Sequence, residues 1–255
     1  MSALPTSERG SEVRVIPLAG IPEIEGGDDL AGLLLTAAEG IGGLADADVV
    51  VVAQKAVSKA EGRVVRLEDV EPSAQALELA DERDPRHVEW ILRESAKVVR
   101  VRPPLIIAET RHGFICASAG VDASNAKGEG TLILLPLDPD GSAAALREAI
   151  RERAGADVGV IVSDSFGRPF RQGTTDVALG AAGLTPLRDL RGVRDSAGYE
   201  LHATQIAVAD EVAGAAELVM GKVEGIPAAV IRGIDLRGDG RGADIPIPEE
   251  RDLFR

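Results

Sequence analysis

Two uninterrupted apolar runs of strand length, Asp48-Val49-Val50-Val51-Val52-Ala53 and Asp157-Val158-Gly159-Val160-Ile161-Val162, set the tightest limit on the fold. A strand with one wet face alternates apolar and polar side chains, whereas a run that is apolar at every position belongs to a sheet buried on both faces. Each run also ends abruptly in polar chemistry. The first feeds Gln54-Lys55-Ala56-Val57-Ser58-Lys59, and the second feeds Ser163-Asp164-Ser165-Phe166-Gly167-Arg168-Pro169-Phe170-Arg171-Gln172-Gly173. Strand ends are where open α/β sheets gather ligands.

Other segments fit the same plan. Glu12 to Ile16 reads as a first strand, and Pro17 to Ile24, with two prolines and a glycine, as an ordered loop. Asp28-Asp29 suits the acidic start of a helix whose apolar face is Leu30, Leu33, Leu34, Ala37 and Ala38. Pro72 to Ser95 reads as helical with a break near Asp84-Pro85. Strands are predicted at Val98 to Val101, Leu105 to Ala108, Gly113 to Ser118 and Thr131 to Leu135, then a helix from Ser142, its candidate N-cap, to Arg153. A short helix over Thr174 to Ala182, a longer one over His202 to Leu218 and a last strand over Ala228 to Arg232 complete the pattern. The class is mixed α/β, with strand order unreadable from one sequence. Residues 12–255 read as one domain, long enough to divide into two intertwined subdomains, behind a flexible N-terminus at 1–11.

Composition narrows the function. At 255 residues and 45% hydrophobic content the chain can bury a large core. A net charge of −14 argues against nucleic acid as the main partner. No apolar stretch approaches the roughly 18 residues of a membrane span, and Met1 to Ser11 has no signal-peptide core, so a soluble cytoplasmic protein is expected. Cys116, the only cysteine, excludes an intrachain disulfide and a cysteine zinc cage, and reads as a packing residue. His87 reads as a surface residue, and neither His112 nor His202 has a partner that suggests a triad. Neither a Walker A motif nor a strand–GxGxxG–helix unit is present, which sets aside P-loop and Rossmann folds.

What remains is a pair of strand-end aspartates. Asp164 with Ser165, and Asp122 with Asn125 in Gly120-Val121-Asp122-Ala123-Ser124-Asn125, offer oxygen ligands to Mg²⁺ or Mn²⁺. Asp and Asn also favour turns for backbone reasons, and each of these residues alone is compatible with that role. Lys55 and Lys59, four apart, suit a polyphosphate as well as they suit a solvated basic turn. The residues by themselves reach as far as a cytoplasmic, metal-dependent enzyme of a phosphate ligand. A nucleotide phosphohydrolase and a non-catalytic nucleotide-binding protein both stay open.

Taken in order, several blocks resemble the coenzyme F420:L-glutamate ligase family. They are Pro22-Glu23, Gln54 to Lys59, Gly120 to Asn125, Ser163 to Arg168, Gly192-Val193-Arg194-Asp195, Ala203 to Glu211, Met220-Gly221-Lys222, Ile231-Arg232-Gly233 and the closing Asp252-Leu253-Phe254-Arg255. The resemblance implies an unusual α/β ligase fold and a homodimer. It also implies a GTP-dependent ligase that attaches L-glutamate to a deazaflavin coenzyme precursor, with two Mg²⁺ or Mn²⁺ ions and a K⁺ ion. By the same resemblance Ile21, Pro22, Glu23 and Ile24 hold the nucleotide together with Gln54, Lys59 and Asn125, and Met220, Gly221, Gly225, Ile226 and Pro227 line its pocket. Asp122 and Asp164 hold one metal and Ser165 a second, so Asp122, Asp164 and Lys59 carry the chemistry. Lys222 is left out of the metal set, because a charged ammonium cannot ligate a cation.

Overall fold

In the computed structural model, which describes residues 12–253, the two apolar runs lie side by side as parallel strands inside a five-stranded sheet. The first half of the chain supplies β1 (Arg14–Pro17), α1 (Leu30–Glu39), β2 (Val49–Ala53), α2 (Gln54–Ala60), β3 (Val64–Arg66), α3 (Ala74–Leu79), α4 (Pro85–Glu94), β4 (Ser95–Arg102), β5 (Leu105–Thr110) and β6 (Ile115–Ala117). The second half supplies β7 (Thr131–Ile133), α5 (Pro139–Ala154), β8 (Gly159–Gly167), β9 (Thr174–Ala182), β10 (Leu187–Asp189), β11 (Gln205–Ala207), α6 (Val208–Met220) and β12 (Ala228–Arg232). The main sheet runs β1-β12-β2-β8-β9, with only β2 and β8 parallel.

Alternation along these strands builds two cores. Val50, Val52, Val160, Val162 and Val230 face Leu30 and Leu34 of α1, Ala56 and Val57 of α2, and Ala143 and Ile150 of α5. Val49, Val51, Ile161, Ala229 and Ile231 face Val208, Val212, Ala213, Ala216 and Met220 of α6. Cover on both faces is the reason the strands read as continuous apolar runs. Asp48, at the head of β2 and only 2% exposed, accepts two bonds from Arg232 at the end of β12, from Nε at 2.8 Å and Nη2 at 2.7 Å.

A third core lies apart from the main sheet. Antiparallel β4-β5-β6 and the β3-β7 pair enclose Ala76, Val88, Ile91, Ile106, Ala108, Leu132 and Leu134 with α3 and α4. Phe114, Leu135 and Leu179, with Phe166 and Val177 beside them, join this layer to β8 and β9.

Several expectations are corrected. Thr174–Ala182 is a strand, because its residues pair antiparallel with β8 over its whole length; its alanines suggested a helix, and tertiary pairing overrides so weak a preference. α5 starts at Pro139 with Asp138 as its cap, Asp138 Oδ1 accepting from Gly141 N at 3.0 Å; Ser142 lies inside the first turn. α6 begins at Val208, since Gln205–Ala207 is drawn into a hairpin with β10. The predicted N-terminal tail, 1–11, and Phe254-Arg255 lie outside the described residues.

The outer side of β9 is covered by chain from elsewhere. Asp140 Oδ1 accepts from Ala181 N at 2.8 Å and from Gly242 N at 2.6 Å, and its Oδ2 accepts from Ala243 N at 3.1 Å. Gly180 permits that approach: a Cβ there would sit 2.1 Å from the Pro139 carbonyl oxygen. Gly180→Ala must push α5 away from the strand and is expected to cost about 2–3 kcal/mol, read as a lower urea midpoint at unchanged m-value.

Candidate active site

The site begins where β8 outruns its apolar stretch. Val162 is paired with Gly180 but Ser163 with Ala178, so Leu179 is the extra residue of a β-bulge and packs against Phe114 and Leu135. Bulges re-aim side chains beside functional sites, and here the freed Ala178 N–H is taken by Asp210 Oδ1 of α6 at 2.9 Å. Past the bulge, Ser165 stands opposite Asp176. Asp176 is 5% exposed and accepts from Ser163 Oγ at 3.0 Å and from Ser165 Oγ at 2.6 Å.

Asp164 alternates to the other side of the strand. Burial pushes its carboxyl up to about 7, against the opposing pull of its bond to Ser165 N–H and of the ammoniums of Lys55 and Lys222; Asp176 pushes the same way as burial. A pocket of about 70 Å³ opens here. Of the residues predicted for the site, Gln54, Asn125, Asp164, Ser165, Met220, Gly221 and Ile226 line it. Gln54 is buried; its Oε1 accepts from Ser58 Oγ at 2.9 Å, and its Nε2 has no hydrogen-bond partner among the described residues. Such a donor is open to a ligand acceptor.

Asp122 and Lys59 stand differently. Asp122 Oδ2 lies 2.7 Å from Lys55 Nζ, and its two oxygens also accept from the N–H and hydroxyl of Ser124 at 2.7 and 2.9 Å. Burial alone would raise its pKa, but Lys55 and Ser124 together hold it below the usual carboxylate range. Lys59 pairs with Glu23 at 2.5 Å. Glu23, Ile24 and Lys59 line a second pocket of about 180 Å³ together with Lys127. Ile21 sits in the core, Pro22 and Gly225 are exposed, and the Pro227 carbonyl accepts from Ala53 N at 2.8 Å.

The donor set suits a hard divalent cation. Among the described residues no three His, Cys, Asp or Glu side chains form a cage, yet Mg²⁺ commonly takes one or two carboxylates and completes its shell with water and substrate phosphate. Asp164 and the Ser165 oxygen fit that habit, whereas Asp122 must first exchange Lys55. Lys55, expected to suit a polyphosphate, and Lys222, within the segment Met220 to Pro227 expected to line the nucleotide pocket, help to line it, as do Asp176 and Glu217, which the sequence did not single out. Asp176 and Glu217 belong to no motif that marks them, and only strand register and the end of α6 bring them in.

Other candidates take structural places. Cys116 is buried and its thiol is pushed up to about 12, chiefly by burial, so it is no nucleophile at neutral pH. His87, expected at the surface, is half-buried; burial lowers its pKa, and its Nε2 has no partner among the described residues. His112 Nε2 lies 3.1 Å from the Leu137 carbonyl oxygen, and His202 stacks edge-on against Tyr199.

Comparison with known proteins gives a consistent result. The family model described as F420-0:Gamma-glutamyl ligase matches residues 20–233. A protein of Methanothermobacter thermautotrophicus named Coenzyme F420:L-glutamate ligase is 46% identical over 95% of this chain and 99% of its own length. Proteins of the same name are 46% identical in Methanopyrus kandleri, over the full length of both chains, and 46% identical in Haloarcula marismortui, over 95% of this chain and 96% of that protein. No helix among the described residues is long and apolar enough to cross a membrane. With a match across most of the chain and relatives aligned nearly end to end, the protein belongs to the F420-0:Gamma-glutamyl ligase family.

Proposed function

We propose that this protein joins L-glutamate by an amide bond to the deazaflavin precursor of coenzyme F420, with GTP as the activating co-substrate. The observation that carries the reading is the near end-to-end similarity to proteins named for this ligation, on a chain whose strand-end Asp164 and Ser165 share a pocket with Lys55 and Lys222.

The chemistry follows from the bond to be made. A carboxylate oxygen leaves only after activation, so the precursor carboxylate attacks the γ-phosphorus of GTP, giving an acyl phosphate and GDP. The glutamate amine then attacks the acyl carbon, phosphate departs with the C–O bond electrons, and the amine proton passes to a base. Lys59 supplies a fixed positive charge. The Ile21–Ile24 loop, Gln54, Asn125 and the Met220–Pro227 segment hold the nucleotide. Asp164 and, once released from Lys55, Asp122 would hold one Mg²⁺ or Mn²⁺ ion and Ser165 a second, and these ions would neutralise charge on the phosphates. A K⁺ ion and a homodimer belong to the same proposal.

Purified protein is to be incubated with GTP, Mn²⁺, K⁺, L-glutamate and the unglutamylated coenzyme, and the products followed by mass spectrometry. Acceptor-dependent GDP with one or more glutamyl mass increments is expected. GDP formed equally without acceptor would instead identify a phosphohydrolase, and an unchanged mixture from folded protein would favour a nucleotide-binding role without turnover.

A further inference from the structure

Asp176 has a cost that scaffolding does not explain. It is 5% exposed, forms no ion pair among the described residues, and is held by the hydroxyls of Ser163 and Ser165. A buried acid served by two neutral donors is poorly compensated, and an apolar pair across β8 and β9 would hold the hairpin at lower cost. The geometry explains what the acid does for its neighbours. A hydroxyl that ligates a cation does so through an oxygen lone pair, and its proton has to point elsewhere. Asp176 Oδ1 takes the Ser165 proton at 2.6 Å and Oδ2 takes that of Ser163 at 3.0 Å, while all three residues line the pocket that holds Asp164.

We propose that Asp176 is a positioning residue: by accepting the Ser165 hydroxyl proton from directly across the strand pair, it turns the Ser165 oxygen lone pairs toward a divalent cation held by Ser165 in this pocket. The inference rests on the reading of the site given above. The register fixes the arrangement, because the bulge at Leu179 is what brings Asp176 opposite Ser165. Outer groups that orient a ligand commonly contribute 10- to 100-fold to metal affinity.

The test is a titration with Mn²⁺ alone, free ion being read by electron paramagnetic resonance, for the wild-type chain, Asp176→Ala, Asp176→Asn, Ser165→Ala, the Asp176→Ala/Ser165→Ala double variant and Ser163→Ala, with folding checked by circular dichroism. Asp176→Ala and Ser165→Ala are each expected to weaken binding about tenfold or more, and the double variant no further than either single. Asp176→Asn, whose amide oxygen still accepts from the Ser165 hydroxyl, is expected to bind more tightly than Asp176→Ala. Ser163→Ala, which leaves the Ser165 contact in place, is expected to bind nearly as the wild type does. Unchanged affinity in folded Asp176→Ala, or a loss in the double variant equal to the product of the singles, overturns the positioning role. A wild-type chain that does not bind Mn²⁺, or a Ser165→Ala chain that binds it normally, overturns instead the reading of the site beneath it. Should Asp176→Ala not fold, Asp176→Val, which also removes the acceptor, is subject to the same criteria.

Discussion

Asp164→Asn is expected to abolish ligation while making the ligand-free protein more stable. The loss of turnover, at least ~10²-fold, follows from removing a charge aimed at the phosphate chemistry. The gain in stability follows from linkage. Burial raises the folded pKa of Asp164 from 3.8 to about 7, so between these values the folded protein binds more protons than the unfolded chain. Stability therefore falls as pH rises through this window and levels off above it. The Asn variant carries no such penalty, and its advantage should be absent below about pH 4 and reach an upper bound on the order of 4 kcal/mol by pH 8. Urea unfolding of both chains in chelator across pH 4–8 measures this, and the assay with acceptor measures turnover. Wild-type turnover by the folded variant would remove Asp164 from the chemistry. A pH-independent difference in stability would refute the buried-charge account.

Asp48→Ala is expected to produce the largest loss of stability, about 3–5 kcal/mol. The carboxylate binds the Arg232 guanidinium side-on through two bonds and also accepts from Ala45 N at 2.8 Å; Arg232 Nη2 in turn donates to the Gly43 carbonyl at 2.8 Å. The pair thereby clamps the loop before β2 to the end of β12. Truncating the acid strands a cation that is mostly covered. Truncating both partners removes the penalty of the unpaired cation as well as the two bonds, so Asp48→Ala/Arg232→Met should be no less stable than Asp48→Ala alone. Urea is the denaturant to use, since a guanidinium salt would screen the pair under study. If Asp48→Ala unfolds within about 0.5 kcal/mol of the wild type, the clamp contributes nothing.

How much of this was legible depended on how locally each feature was encoded. β2, β8 and β12 could be read because cover on both faces writes itself as an unbroken apolar run, and α1 because its face repeats at helical spacing. β9 could not: Ala178, Gly180, Ala181 and Ala182 have small side chains because α5 and the 242–244 turn press against the strand, and small residues carry little strand signal. The order of the sheet was equally closed, since β12 inserts between β1 and β2 from the far end of the chain. In the site, Asp164 and Ser165 stood out as polar residues directly after Val160-Ile161-Val162. Asp176 stood out in no way, because its role exists only across a bulged register. The ion pair of Lys55 with Asp122 links two recognisable motifs, but nothing in either one announces that they meet.

The carboxylate of Asp140 has a consequence for assembly. An edge strand with free amides is a template on which another chain can add a strand. On β9 the Ala181 amide is already bonded to Asp140, the Ala178 amide to Asp210, and the Gly242 turn lies against Leu179 and Gly180. The Ala178–Ala181 stretch of β9 is therefore closed to a strand added by a second copy of this protein.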